Sequence, residues 1–198
     1  EHLDFSNPNW PQYGRFLLSK YGELPKNYQE QDVYDWLGNS LKTPLNEQGL
    51  CLSQLTWADT LREAQFYFPM ENVDIKALKD VIAQFRKSMG IDSSDVQLPD
   101  YGRLKGMMHG FIDLIFCDQG QYFVCDYKSS HLGDKFKHYH PSVVRQHVVD
   151  HFYDLQFLIY SLALHRYLRE RVDNYDANEH FGGVYYLYLR GMSSENEN

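Results

Sequence analysis

Gly110-Phe111-Ile112-Asp113-Leu114-Ile115-Phe116 leads through Asp118-Gln119-Gly120 into Gln121-Tyr122-Phe123-Val124-Cys125-Asp126-Tyr127-Lys128, and this stretch decides the fold. Residues 111–116 are apolar except for Asp113, the pattern of a strand buried on both faces. Asp118-Gln119-Gly120 supplies a tight turn, and residues 121–128 read as the returning strand of a hairpin.

Working outward, a polar loop over 129–140 ends at Pro141, which opens a helix predicted to run to about Arg171. Its apolar stripe uses Val144, Val148, Phe152, Leu155, Ile159 and Leu162. A final strand is predicted over residues 181–189. Upstream, Val33, Trp36, Leu37 and Leu41 give helical spacing over 29–41, and Leu78, Ile82 and Phe85 do so over 75–88. Residues 60–68 alternate Glu63, Gln65 and Tyr67 against Ala64, Phe66 and Phe68, a strand that Pro69 is expected to stop. Residues 90–97 are polar and acidic, a predicted loop. Paired strands with helices before and after them predict an α/β domain with a central mixed sheet flanked by helices.

Composition narrows the classes. At 198 residues with 43% hydrophobic content, the chain suits one domain with one good core. No apolar run approaches the roughly 18 residues of a membrane span, and residues 1–5 do not read as a signal peptide. Cys51, Cys117 and Cys125 are an odd set without CxxC spacing, so reduced thiols and a cytoplasmic location are expected. A net charge of −8 argues against a general nucleic-acid coat but leaves room for a local phosphate site. Both ends read as cut: residues 1–5 as the tail of a helix under way, residues 193–198 as a frayed terminus.

The chemistry concentrates on the hairpin. A carboxylate in an apolar strand is expensive to bury unless it is paired or holds a metal. Asp126 lies thirteen positions beyond Asp113, across the turn, so the hairpin brings the two carboxylates near each other. Without a cation they repel, and one stays protonated. Oxygen ligands in small number with open water positions favour Mg2+. Strand alternation places Asp126 and Lys128 on one face and turns Tyr127 away. An ammonium there orients water or offsets charge on an attacked phosphate. The alternative for Asp126 and Lys128 is a plain ion pair at a strand end.

Those residues, followed by Tyr153-Asp154-Leu155-Gln156, Tyr160, His165-Arg166-Tyr167-Leu168 and His180-Phe181-Gly182-Gly183-Val184, closely resemble the C-terminal nuclease domains of the RecB family. These belong to helicase-nuclease subunits of bacterial RecBCD complexes, with a restriction-endonuclease-like core of the PD-(D/E)xK type. The likeness covers most of the chain and is strongest over 106–190. It implies a Mg2+-dependent deoxyribonuclease of the exodeoxyribonuclease V type, acting on DNA in double-strand break repair and recombination. RecC-like and RecD-like subunits would be its partners, with no membrane. It implies that Asp113, Asp126 and the Tyr127 carbonyl hold the metal and that Lys128 is the catalytic lysine. Glu63 matches an acidic position on an earlier strand, the alternative being a solvated carboxylate. Gln156 and Tyr160, one helical turn apart, would contact DNA or support the lysine; the alternative is a capped core edge. The family also uses a histidine upstream of Leu3, and His2 is out of register with it. The expectation is therefore one domain, residues 1–198, excised from a larger chain, one ligand short and weakly active.

Other candidates are weaker. His147 and His151 have i, i+4 spacing but lack the adjacent glutamate of a zinc protease helix, so solvated or partly buried histidines are expected. Gly182-Gly183 is not followed by Gly-Lys-Ser/Thr, so no phosphate loop is encoded. Tyr185, Tyr186 and Tyr188 stack bases or, more commonly, pack. Two rival functions remain: a nuclease-fold docking module without cleavage, and a hydrolase of another phosphodiester.

Overall fold

The computed structural model describes residues 10–22, 24, 26–91, 96–98 and 102–193. The helix tail expected over 1–5, the middle of the polar loop at 92–95, and the frayed end from 194 lie outside them.

The described strands form one sheet in the order β1 (Thr60–Asp74), β2 (Arg103–Asp118), β3 (Gln121–Lys128), β4 (Phe181–Tyr188). β1 and β2 are antiparallel, β2 and β3 form the hairpin, and β3 and β4 are parallel. The sheet is therefore mixed, and its α/β class agrees with the sequence reading. Gln119 and Gly120 have φ of 48° and 81°, the two left-handed residues that a two-residue hairpin turn requires. The parallel step from β3 to β4 needs a long crossover. It is supplied by α4 (Pro141–Asp150), α5 (Tyr153–Arg169) and the short α6 (Ala177–His180).

Helices α1 (Trp10–Tyr21), α2 (Glu30–Lys42) and α3 (Ile75–Ser88) are the remaining α-helices among the described residues. α3 begins where Asp74 accepts hydrogen bonds from the N–H groups of Lys76 (2.8 Å) and Ala77 (3.2 Å), an N-cap that satisfies two orphan donors. The two sheet faces carry separate cores. On one, Leu114, Phe116, Phe123, Cys125 and Leu187 pack with Leu41 of α2 and Leu50, Leu52 and Leu55. On the other, Phe68, Ile112, Ile115 and Val124 pack against Tyr160, Ala163, Leu164 and Leu168 of α5.

Three expectations need correction. Pro69 does not stop β1; it pairs with Met107 and the strand continues to Asp74. β1 is an edge strand, where one side of the backbone has no partner and a missing N–H costs nothing. The long helix after Pro141 is two helices, because Phe152 takes φ 55° between α4 and α5. The stripe consequently fails at its far end: Leu162 is 44% exposed. The buried residues of α5 are Asp154, Tyr160, Ala163, Leu164 and Leu168. Finally, Phe111 is half-exposed rather than buried on both faces, since burial of β2 begins at Ile112.

Candidate active site

The hairpin ladder stops at Leu114↔Cys125. Continuing the same register by one step sets Asp113 opposite Asp126. Counting from the closing pair Asp118↔Gln121 makes this a non-hydrogen-bonded pair, the kind that brings side chains closest. One step further, Tyr127 occupies a position whose N–H and C=O both face β2. The ladder has ended there, and the Asp113 carboxylate accepts the Tyr127 N–H instead, at 2.8 Å. The Tyr127 carbonyl, on the same side of its residue, is left facing the gap between the strands.

The gap has a cause in β2 and β1. Strict alternation would place Ile112 on the face of Leu114, yet Ile112 packs with Ile115 on the α5 side. The face switches at Asp113. In β1 the ladder pairs Arg62 with Leu114 and Ala64 with Ile112 and skips Glu63. Glu63 takes φ 49°, a left-handed conformation that is uncommon without glycine. Glu63 thus sits opposite Asp113 at a matched irregularity, and it is exposed.

Lys128 is nearly enclosed, at 9% exposure, and Asp126 at 4%. The two form an ion pair through Asp126 Oδ2, so the plain ion pair foreseen as an alternative is present. It is buried rather than at a solvated strand end. Lys128 Nζ also donates to Gln156 Oε1 at 2.9 Å. It lies 3.7 Å from the centre of the Tyr153 ring and 5.1 Å from that of Tyr186, within reach of a cation–π attraction. Gln156 Nε2 donates to the Tyr160 hydroxyl at 2.9 Å, and that hydroxyl donates to Asp126 Oδ1 at 3.5 Å. Gln156 and Tyr160 therefore connect the lysine to the carboxylate.

Burial raises the Asp126 carboxyl above its ordinary value; Lys128 opposes the shift and Asp113 adds to it. Burial, with Asp126 nearby, likewise pushes the Tyr160 phenol up to about 12, so it stays a hydrogen-bond donor. Asp126 Oδ2 is buried and meets the Lys128 ammonium; a carboxylate oxygen has a second lone pair, which a metal ion could take. Among the described residues, no group of three or more His, Cys, Asp or Glu side chains converges. The oxygen atoms that the end of the ladder could offer a metal are those of Asp113, Asp126 and the Tyr127 carbonyl, an all-oxygen set of the kind that suits Mg2+.

Tyr153 and Tyr186 are the residues that sequence reasoning missed as parts of the site. By sequence pattern Tyr186 is chiefly a packing residue, and Tyr153 has no role there. The spacing 153, 156, 160 was the available signal, since i, i+3 and i+7 share a helix face. His147 and His151 stack on each other at 3.9 Å, and His147 bonds the Tyr188 hydroxyl at 2.8 Å; burial holds His147 below its usual value.

A sheet with two carboxylates and a lysine gathered where its central strands part is the architecture of a phosphodiesterase. Residues 26–197 match the PD-(D/E)XK nuclease superfamily, and the chain belongs to it. The chain is 39% identical over 198 residues to the RecBCD enzyme subunit RecB of Escherichia coli (strain K12), covering 98% of this chain and 16% of that protein. It is 37% identical over 175 residues to RecB of Haemophilus influenzae, covering 87% and 14%. With RecB of Mycobacterium tuberculosis (strain ATCC 25618 / H37Rv) the identity is 34% over 167 residues, covering 76% and 15%. The chain spans about one-sixth of the length of these relatives. No helix among the described residues is long and apolar enough to cross a membrane.

Proposed function

We propose that this chain is a RecB-like nuclease domain that hydrolyses phosphodiester bonds in DNA with Mg2+, as part of a longer helicase-nuclease polypeptide. The observation that carries the reading is the buried cluster of Asp126 and Lys128 beside Asp113, at the point where the hairpin ladder ends. Asp113, Asp126 and the Tyr127 carbonyl would hold the ion. When bound, Mg2+ supplies positive charge against the phosphate and makes water at the site easier to deprotonate.

The chain's own groups do the rest. Lys128, held by Gln156 and Tyr153, presents a fixed ammonium to the charge that grows on the phosphate oxygens. Tyr160 keeps Asp126 oriented from behind. Glu63, opposite Asp113 and exposed, is placed to meet solvent or substrate at the mouth of the site. Nothing in the cluster is arranged to read base edges, so binding rests on phosphate contacts, with little sequence preference and strong salt dependence. By similarity, RecC-like and RecD-like subunits are the partners, and the setting is cytoplasmic repair of double-strand breaks by recombination.

The test is a cleavage assay on single-stranded DNA with Mg2+ or EDTA. Cleavage that requires metal and disappears in Asp126→Ala supports the proposal. Cleavage indifferent to that change overturns it, and DNA binding without any cleavage by the parent protein favours a docking module instead.

A further inference from the structure

Helices α3 and α5 meet through two adjacent contacts. Phe85 and Phe157 stack with ring centroids 4.7 Å apart. Beside them, Arg86 Nε donates to Asp154 Oδ2 in an ion pair whose side chains are 3% and 0% exposed. The phenylalanines give the helices an apolar reason to associate. The ion pair does not follow from stability alone, because replacing a buried pair by apolar side chains of similar volume is often neutral or stabilising.

Its location is informative. Asp154 follows Tyr153 and precedes Gln156 by two, and these are the α5 residues that touch Lys128. Positions 153, 156 and 160 share the helix face toward β3, while 154 and 157 share the neighbouring face toward α3. The Arg86 guanidinium also lies 5.7 Å from the centre of the Phe152 ring. Phe152 is the left-handed residue that separates α4 from α5. Such a conformation in a residue with a side chain is strained and persists where surroundings enforce it. Arg86 thus contacts both the joint and the first helical turn after it.

We infer that the Arg86–Asp154 pair is a positioning device for the active-site lysine. It sets the height and rotation of the first turn of α5, and so holds Gln156 Oε1 and the Tyr153 ring against Lys128 Nζ. A charge-assisted hydrogen bond is directional and tolerates little sliding, whereas stacked rings allow the helix to drift. The Tyr186 hydroxyl, donating to the Tyr153 carbonyl at 2.6 Å, ties the same turn to β4 from the other side.

The inference rests on the nuclease reading for its kinetic readout but not for its chemical one. The double variant Arg86→Met/Asp154→Leu, made in the intact protein, keeps the interface filled and removes both charges. Its melting temperature is expected to stay near that of the parent. Its kcat on DNA should fall about tenfold to a hundredfold with KM little changed, the scale of a small misplacement of a catalytic group. Acetylation of Lys128, followed by peptide mass spectrometry, should become faster while that of exposed Lys105 stays constant. Arg86→Lys, which retains a cation for Asp154, should restore much of both.

Normal kcat or an unchanged Lys128 labelling rate in the folded double variant overturns the inference. Failure of that variant to fold also overturns it, since the pair would then be structural. If the parent protein cleaves no DNA, the nuclease reading fails while the labelling comparison still decides the positioning role.

Discussion

The two halves of the β2–β3 hairpin are built on opposite plans. Next to the turn, every residue from Leu114↔Cys125 to Asp118↔Gln121 is paired across the ladder. Phe116 stacks on Phe123 at 4.9 Å, and Phe123 lies 5.6 Å from Tyr185. Beyond Leu114 the strands part, and side chains replace the backbone as partners: Asp113 for the Tyr127 N–H, Gln156 and Asp126 for Lys128. One half is held by burial of apolar surface, and the other keeps charged groups out of water at a cost. The apolar half thus holds the polar half in register, so stability and catalysis should separate by position along one hairpin.

Lys128→Met should separate them most. Removing the ammonium is expected to lower DNA cleavage by about 10²–10⁴-fold, with a melting temperature within a few degrees of the parent. Phe116→Ala should do the reverse. Phe116 is 1% exposed, and its truncation is expected to lower the unfolding free energy by about 3–5 kcal/mol, while cleavage per folded molecule stays unchanged. Denaturant titration and an active-site-normalised assay check both. A change at Phe116 that lost activity at full stability would break the division.

The turn half was legible because its causes are local. Alternation, two left-handed turn residues and counting across the turn place Asp113 opposite Asp126 with no knowledge of the rest of the chain. The polar half was legible only in its residue types. The face switch at Asp113 lies opposite an irregularity at Glu63 of β1, fifty residues away. The break at Phe152 carries no glycine or proline to announce it, and Arg86 of α3 is part of what surrounds it. The rings around Lys128 come from α5 and β4, and nothing in Tyr186 itself distinguishes it from its packing neighbours Tyr185 and Tyr188. Pattern shows where a strand hides its side chains; it does not show which distant helix supplies a partner.

Gln156→Leu is a smaller cut into the polar half. It removes the hydrogen bond to Lys128 Nζ and the one to Tyr160 but leaves the charges in place. A hydrogen bond to a charged group contributes about 1.5–3 kcal/mol, so single-turnover cleavage is expected to slow about tenfold or somewhat more. An unchanged rate would make Gln156 a packing residue and leave Tyr153 as the main support of the lysine.

The pH dependence of stability follows from Asp126. Its carboxyl lies above the ordinary value of 3.8 in the folded protein, so between those values the folded state binds more protons than the unfolded one. Stability then falls as pH rises through that window and levels off above the folded value. Melting temperatures measured in EDTA across the acidic range should show this fall, and Asp126→Asn should flatten it. An unchanged slope in that variant would mean that another group carries the titration, and that the polar half costs less than its burial implies.

Pro69→Val is the smallest change and tests where the comparison ends. Pro69 is exposed, on the edge strand, opposite Met107 and away from both halves of the hairpin. Valine restores a backbone N–H and suits a strand, so the unfolding free energy should move by no more than about 0.5 kcal/mol, with cleavage unaffected. The restored donor has another consequence. A proline on an edge blunts pairing with a second chain, so light scattering of the variant at rising concentration reads whether Pro69 guards that edge. Concentration-dependent association of Pro69→Val with unchanged activity would assign the residue to the sheet's border. A loss of activity without association would extend the site along β1 beyond Glu63.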